Sequence, residues 1–343
     1  MPHDPSSARL GGLNKNPTHI RLGVLDVGSN TVHLLIVDAH RGGRPTPMSS
    51  NKSVLRLAEQ MDSRHSLTEK GQRQLVDAVS RSADLAKEAG CAELMAFVTS
   101  AIREAKNADQ VLKRVWEETG VQLTVLSGAD EGRLTFLAMR RWHGWGAGRI
   151  LGLDIGGGSL ELALGGDEEP EVVQSLPLGA GRVTRHWAAG DPPTASQVSR
   201  LREWLEAQLA PAARMFAQYD PADLAVASSK TFRSLARLTG AAPSSAGPLV
   251  RRSLSLQALR QLTAFISRMS SSDLATLDGV SADRAHQLIA GALIAEAAMR
   301  TFGVQSLEIC PWALREGVIL RRLDAEVHPV FLPAPDAAPL VSK

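Results

Sequence analysis

Leu25-Asp26-Val27-Gly28-Ser29-Asn30-Thr31-Val32-His33-Leu34 and Leu153-Asp154-Ile155-Gly156-Gly157-Gly158-Ser159-Leu160-Glu161-Leu162 align without a gap at an offset of 128 residues. Each copy reads as an apolar strand ending in Asp, a tight turn of small residues, and a second strand. A turn this poor in side chains lets backbone N–H groups converge outward into a nest for phosphate oxygens. Ser29, Thr31 and Ser159 add hydroxyl donors there. One copy alone reads more simply as an ordinary β-hairpin, since Gly, Ser and Asn are what such turns use anyway. Two copies at one offset, each led by an Asp at the end of an apolar strand, reverse that preference. They predict two similar lobes that face each other across a cleft and grip phosphates from both sides.

The rest of the chain alternates in the same style. Strand-like runs are expected at 20–25, 32–38, 94–99, 121–126, 150–153, 160–164, 172–176, 224–227 and 306–309, with helical periodicity at about 67–89, 107–118, 130–142, 195–217, 230–238, 254–268 and 282–301. Hairpins mixed with helical crossovers indicate an α/β protein. Residues 1–19 read as a disordered extension and 326–343, with three prolines, as a tail. A first lobe is expected over 20–145 and a second over 146–325, with the turn Gly144-Trp145-Gly146-Ala147-Gly148 as their junction.

Composition narrows the function classes. A length of 343 residues at 44% apolar content is enough for two full cores. The 38 basic residues nearly balance the 36 acidic ones, so the chain does not coat nucleic acid by bulk charge, and any anion site must be local. No run approaches the roughly 18 apolar residues a membrane span needs, which leaves the cytoplasm as the expected location. Cys91 and Cys310 have no metal-ligand spacing, so a bound metal would take oxygen ligands.

The duplicated turn resembles those of the actin, heat-shock ATPase and sugar-kinase superfamily. More narrowly, the first turn, then Thr99-Ser100-Ala101-Ile102-Arg103-Glu104-Ala105, Leu126-Ser127-Gly128-Ala129-Asp130-Glu131-Gly132-Arg133-Leu134 and the second turn resemble, in this order, the exopolyphosphatase / guanosine pentaphosphate phosphohydrolase family. The match also takes in Ser175-Leu176-Pro177-Leu178-Gly179-Ala180-Gly181-Arg182 and Leu314-Arg315-Glu316-Gly317, and runs from about Leu22 to Arg321. It implies two ribonuclease-H-like lobes of the actin-like ATPase kind with an interlobe cleft.

Hydrolysis of a terminal phosphoanhydride needs neutralised phosphoryl charge, an oriented water and a proton acceptor. The resemblance places the family's catalytic glutamate at Glu131. On sequence alone, Asp130 and Glu131 would simply complement a helix N-terminus. Asp130 and Gly132 depart from the family's usual Glu and Ala beside that position. Arg103 resembles the family's phosphate-contacting arginine, whose fork holds two oxygens. Asp154 and Glu161, seven residues apart across the turn, are the expected carboxylates for Mg2+ (or Mn2+), with Asp26 as the matching acid of the first lobe. Gly28, Ser29, Asn30, Thr31, Gly156, Gly157, Gly158 and Ser159 are the expected phosphate-binding turns. Arg56 and Lys230 are further candidates, and His33 reads as a core residue. Lys230 lies in Ser228-Ser229-Lys230-Thr231, where the superfamily usually carries glycines near a nucleotide.

The expected function is release of orthophosphate from linear inorganic polyphosphate, short chains included. Longer family members carry an appended helical domain for which this chain leaves no room. Removal of the 5′ phosphate of guanosine pentaphosphate is the alternative, so guanosine penta- and tetraphosphate stand beside polyphosphate as expected ligands. A non-catalytic polyphosphate or alarmone binder and a superfamily kinase are further alternatives. A homodimer is among the assemblies the resemblance implies; neither nucleic acid nor a membrane is expected as a partner.

Overall fold

The computed structural model describes residues 19–187 and 190–325; apart from His19, the expected extension and the tail over 326–343 lie outside the described residues. In the first half, β1 (Ile20–Val27) and β2 (Thr31–Ala39) form the first duplicated hairpin, followed by β3 (Thr46–Val54), α1 (Glu69–Glu88), β4 (Glu93–Val98), the single turn α2 (Ser100–Arg103), α3 (Ala108–Thr119), β5 (Thr124–Val125) and α4 (Gly128–His143). The strands make one sheet in the order β3-β2-β1-β4-β5, antiparallel among the first three strands and parallel from β1 to β4 and β5.

The second half repeats the plan. It contains β6 (Ile150–Ile155), β7 (Leu160–Gly165), β8 (Val172–Leu176), α5 (Ala180–Trp187), α6 (Ala195–Phe216), β9 (Leu224–Ser228), α7 (Ser229–Leu238), β10 (Ser253–Ser255), α8 (Leu256–Ile266), the turn α9 (Ser271–Leu274), α10 (Leu288–Thr301), β11 (Ser306–Ile309) and α11 (Leu314–Ala325). Its six strands run β10-β11-β9-β6-β7-β8. The helix expected over 282–301 divides into a 3-10 turn over Ala282–Gln287 and α10, which is buried almost all round and forms the centre of this lobe.

The two hairpins agree bond for bond. Asp26 pairs with His33 and Asp154 with Glu161, and the turns close through Gly28 N to Thr31 O and Gly156 N to Ser159 O, each at 2.9 Å. Strand alternation then fixes the faces. Leu25, Val27 and Leu34 pack outward with Leu75 and Val79 of α1 and with α3, while Leu22, Val24 and Val37 pack inward on Ile319 and Leu323 of α11. In the second lobe Leu153, Ile155 and Leu162 face α6 and α10, while Ile150 and Ala163 face Phe136 and Met139 of α4.

This arrangement differs from the division at 145/146. Helix α4, expected in the first lobe, packs on the second sheet, and α11, expected in the second, packs on the first. The two helices cross between the sheets. Gly144–Gly148 is therefore a turn from α4 into the sheet it covers, not the passage between lobes. β3 was also unexpected: its residues, TPMSSNKSV, are exposed on both faces of an edge strand, so no apolar alternation marks it.

Candidate active site

Because Asp26 and Asp154 share a face with the inward core residues of β1 and β6, both carboxylates point toward the helix pair at the ends of their strands. Glu161, opposite Asp154, lies on the same face, and its Oε1 accepts a 2.9 Å hydrogen bond from Ser175 Oγ. Helix α4 brings Glu131 to this place. Its first turn is capped by Ser127, whose Oγ accepts from Asp130 N at 3.1 Å and donates to Asp130 Oδ2 at 2.6 Å. Asp130 stays at the surface as the partner of this cap, and Glu131, one residue on, turns inward and is only 8% exposed.

Arg103, at the end of α2, reaches Glu131 Oε1 and donates to Leu126 O at 2.6 Å through the same Nη1. It is an inter-element contact, not the local pairing with Glu104 that sequence also allowed; Glu104 pairs with Arg182 instead. A cavity of about 410 Å³ opens beside this pair, walled by Arg103, Gly128, Ser159 and Ser175.

Burial dominates the electrostatics. It raises Glu131 to about 7, against the opposing pull of Arg103, with Asp26 and Asp154 adding to the rise. Burial also takes Asp154 to about 6, with Arg233 working against it, and pushes Glu161 well up, reinforced by Glu131 and Asp154. Asp26 is raised by burial while Arg315 and Arg284 oppose. Four buried acids whose ionisation is opposed by burial, and for Glu131, Asp154 and Glu161 also by neighbouring carboxylates, form a site that can accept a proton near neutrality or a compensating cation.

The two duplicated turns meet tip to tip. A Cβ on Gly158 would lie 2.1 Å from Ser100 Oγ, which the approach of the two lobes excludes, and one on Gly157 would lie 3.1 Å from Ser29 Cβ, a tight contact. None of the three glycines has a positive φ, so the turn geometry itself does not demand them. Ser29 and Asn30 are buried, unlike the free donors expected: Ser29 Oγ pairs with Ser100 Oγ at 3.0 Å, and Asn30 Nδ2 donates to Gln287 Oε1 of the other lobe at 3.2 Å. Thr31 begins β2, and its carbonyl closes the turn.

The remaining candidates are dispersed. Arg56 sits over the first turn through its backbone N–H to Asn30 O at 2.9 Å, yet its side chain is half-exposed near Glu59. Lys230 lies at the start of α7, directly after β9, the strand that pairs with the Asp154 strand β6. His33 is not simply core: Arg315 donates to its Nδ1. Sequence reading passed over Arg284 and Arg233. Arg284, in the 3-10 turn before α10, carries a charge that acts on both Asp26 and Asp154, and its Nε is buried without a partner among the described residues. In sequence it is a single arginine within the helix expected over 282–301, with no motif around it to mark it.

The model of the Ppx/GppA phosphatase family matches residues 36–326. The chain belongs to that family. Exopolyphosphatase 1 of Mycobacterium tuberculosis is 63% identical over 307 residues, which cover 90% of this chain and 89% of the relative. Among solved structures, the Aquifex aeolicus member of the Ppx/GppA family aligns with a TM-score of 0.77 at 26% identity, over 90% of this chain and 99% of that one. An exopolyphosphatase from Cytophaga hutchinsonii aligns with a TM-score of 0.81 at 24% identity, over 89% of this chain and 98% of that one, and shares the fold. The two-lobed α/β architecture expected from the repeat is thus the architecture of Ppx/GppA proteins.

Within this Ppx/GppA chain no group of three or more His, Cys, Asp or Glu among the described residues is arranged to hold a metal by itself. Asp154 and Glu161 alone stand as a strand-paired couple. That sparse set fits magnesium, which takes one or two carboxylates and completes its shell with water and phosphate oxygens. No helix among the described residues is long and apolar enough to cross a membrane.

Proposed function

We propose that the chain is an exopolyphosphatase: a phosphoanhydride hydrolase that releases orthophosphate from the ends of linear inorganic polyphosphate. The observation that carries this reading is the Glu131–Arg103 contact, a buried carboxyl raised to about 7 beside Asp154 and Glu161 and beneath two apposed phosphate turns. The similarity to mycobacterial exopolyphosphatase 1 supports the choice of substrate.

In this reading the two turns offer backbone N–H groups to the phosphoryl oxygens of the terminal unit. Glu131 orients a water and takes its proton as the water oxygen bonds to phosphorus. The bridging oxygen leaves with the electron pair of the broken P–O bond, so the products are orthophosphate and a chain shorter by one unit. Arg103 holds Glu131 in place, and its remaining N–H groups stand beside the cavity, where they stabilise developing charge. Asp154 and Glu161 would hold magnesium, which supplies charge neutralisation on the phosphate oxygens. A general base works best with a pKa near the operating pH, which the buried setting of Glu131 provides.

The test is phosphate release by the purified protein with magnesium, from polyphosphates of several lengths and from guanosine pentaphosphate. Polyphosphate should be the faster substrate. Much faster turnover of guanosine pentaphosphate, or ATP-dependent phosphorylation of an acceptor, would overturn the reading.

A further inference from the structure

Helix α4 lays one face on the inward side of the β6–β7 hairpin, and the two surfaces do not close completely. Gly132, Thr135, Phe136 and Met139 recur at the three- and four-residue spacing of a single helix face. Opposite them, Gly152 and Ala163 are strand partners, two residues along from the Asp154–Glu161 pair and on the same side of the sheet. Small residues on both sides leave a void of about 10 Å³, whose polar wall is made by Thr135, Asp154 and Glu161. A Cβ at Gly132 would stand 3.9 Å from Glu161 Cβ, so the glycine leaves room beside that side chain. A void of roughly 10–15 Å³ is the smallest that holds one water molecule, provided that two to four polar groups face it.

Thr135 supplies the second observation. It is only 3% exposed, and its hydroxyl has no partner among the described residues. Other helix hydroxyls in this chain behave differently. Ser82, Thr119, Thr184 and Thr263 each donate to the carbonyl four residues earlier, at 2.7 to 2.8 Å. For Thr135 that carbonyl belongs to Glu131, and the bond is not made. A buried hydroxyl left unpaired is costly, and this one borders a void shared with two carboxyl groups. One water there would accept the Thr135 O–H and donate its two hydrogens to Asp154 and Glu161, which satisfies all three groups.

We propose that Thr135 is a positioning residue for the metal couple: through one buried water it orients the carboxylates of Asp154 and Glu161 toward the ion. The proposal rests on the magnesium role given to these acids in the exopolyphosphatase reading, and adds what holds them. Glu161 is then fixed from two sides, since its Oε1 already accepts from Ser175 Oγ at 2.9 Å. A water that donates twice needs both groups as acceptors, the form that also binds a cation.

The experiment uses Mn2+ as the probe, titrated without substrate into the metal-free protein and followed by electron paramagnetic resonance, in the wild type, Thr135→Val and Thr135→Ser. Valine keeps the shape and removes the hydroxyl, whereas serine keeps the hydroxyl. Valine should weaken Mn2+ binding roughly 10-fold or more, the size of a lost outer partner of a metal ligand, and serine should stay within about threefold of the wild type. The magnesium concentration that gives half-maximal phosphate release from polyphosphate should shift in step. A high-resolution crystal structure should show one water among Thr135, Asp154 and Glu161 in the wild type and none in the valine variant. A dry void, a valine variant that binds Mn2+ as the wild type does, serine and valine variants equally weakened, or a wild type that binds no Mn2+ overturns the proposal. Mn2+ binding that follows the expected pattern in a protein that leaves polyphosphate intact would keep the role of Thr135 and sink the substrate reading instead.

Discussion

Gly317 of α11 presses against Leu134 of α4 so closely that a Cβ at Gly317 would stand 1.9 Å from the Leu134 carbonyl oxygen. The contact lies where the two helices cross, and each helix covers the sheet of a different lobe. A backbone carbonyl cannot swing aside as a long side chain would, so Gly317→Ala must force the helices apart. We expect a loss of about 1–3 kcal/mol of stability, in the range of overpacked cores, read from denaturant unfolding. Glu131 lies on α4, so activity should fall as well. An alanine variant as stable as the wild type would mean that the helices separate freely.

Glu131→Gln removes the proton acceptor and keeps the shape. Phosphate release from polyphosphate should fall by roughly 10²-fold or more, mainly in kcat, with an unchanged fold by circular dichroism. A purely binding protein would give the same low release before and after the substitution.

Arg103→Ala separates charge from position. Arg103 is what holds the Glu131 carboxyl down against its burial, so without it that carboxyl should titrate higher still. Since the base must be ionised to act, the acidic limb of the kcat/KM profile should move to higher pH, in addition to a fall in rate of roughly 10-fold or more from lost charge stabilisation. A rate loss with an unmoved acidic limb would leave Arg103 as a substrate contact only.

The duplicated hairpin was legible because a gapless repeat carries register with it: once Asp26 and Asp154 align, the strand partners His33 and Glu161 follow. The capping of α4 could not be assigned from sequence, since Asp130 and Glu131 both suit a helix start. The one-residue rotation that sends Glu131 inward depends on Ser127 and on Arg103, 28 residues earlier in the chain. The exchange of α4 and α11 between lobes left no local trace either, because an apolar helix face does not say which sheet it will cover. The same holds for Gly157 and Gly158. Their composition announced a turn, whereas their reason, the opposing Ser29 and Ser100, is tertiary.

The buried acids also make stability depend on pH in a direction opposite to ordinary surface carboxylates. For Glu131 the folded value, about 7, lies above the 4.5 of the carboxyl in an unfolded chain, and Asp154, about 6, lies above 3.8. Between those limits the folded protein binds more protons than the unfolded one, so stability falls as pH rises. Exposed acids such as Asp38 and Asp62, whose values are lowered by Arg21 and by backbone N–H groups, have their effect at lower pH and are fully ionised above about pH 5. In metal-free protein, Tm should therefore decrease from about pH 5 to about pH 7.5. Magnesium offsets the charge only when the carboxylates are ionised, so it should raise Tm more at the upper pH than at the lower, and Asp154→Asn with Glu161→Gln should flatten both trends. A metal-free Tm that rises across this window, or a magnesium effect equal at both ends of it, would show that Asp154 and Glu161 neither carry the buried charge nor hold the ion.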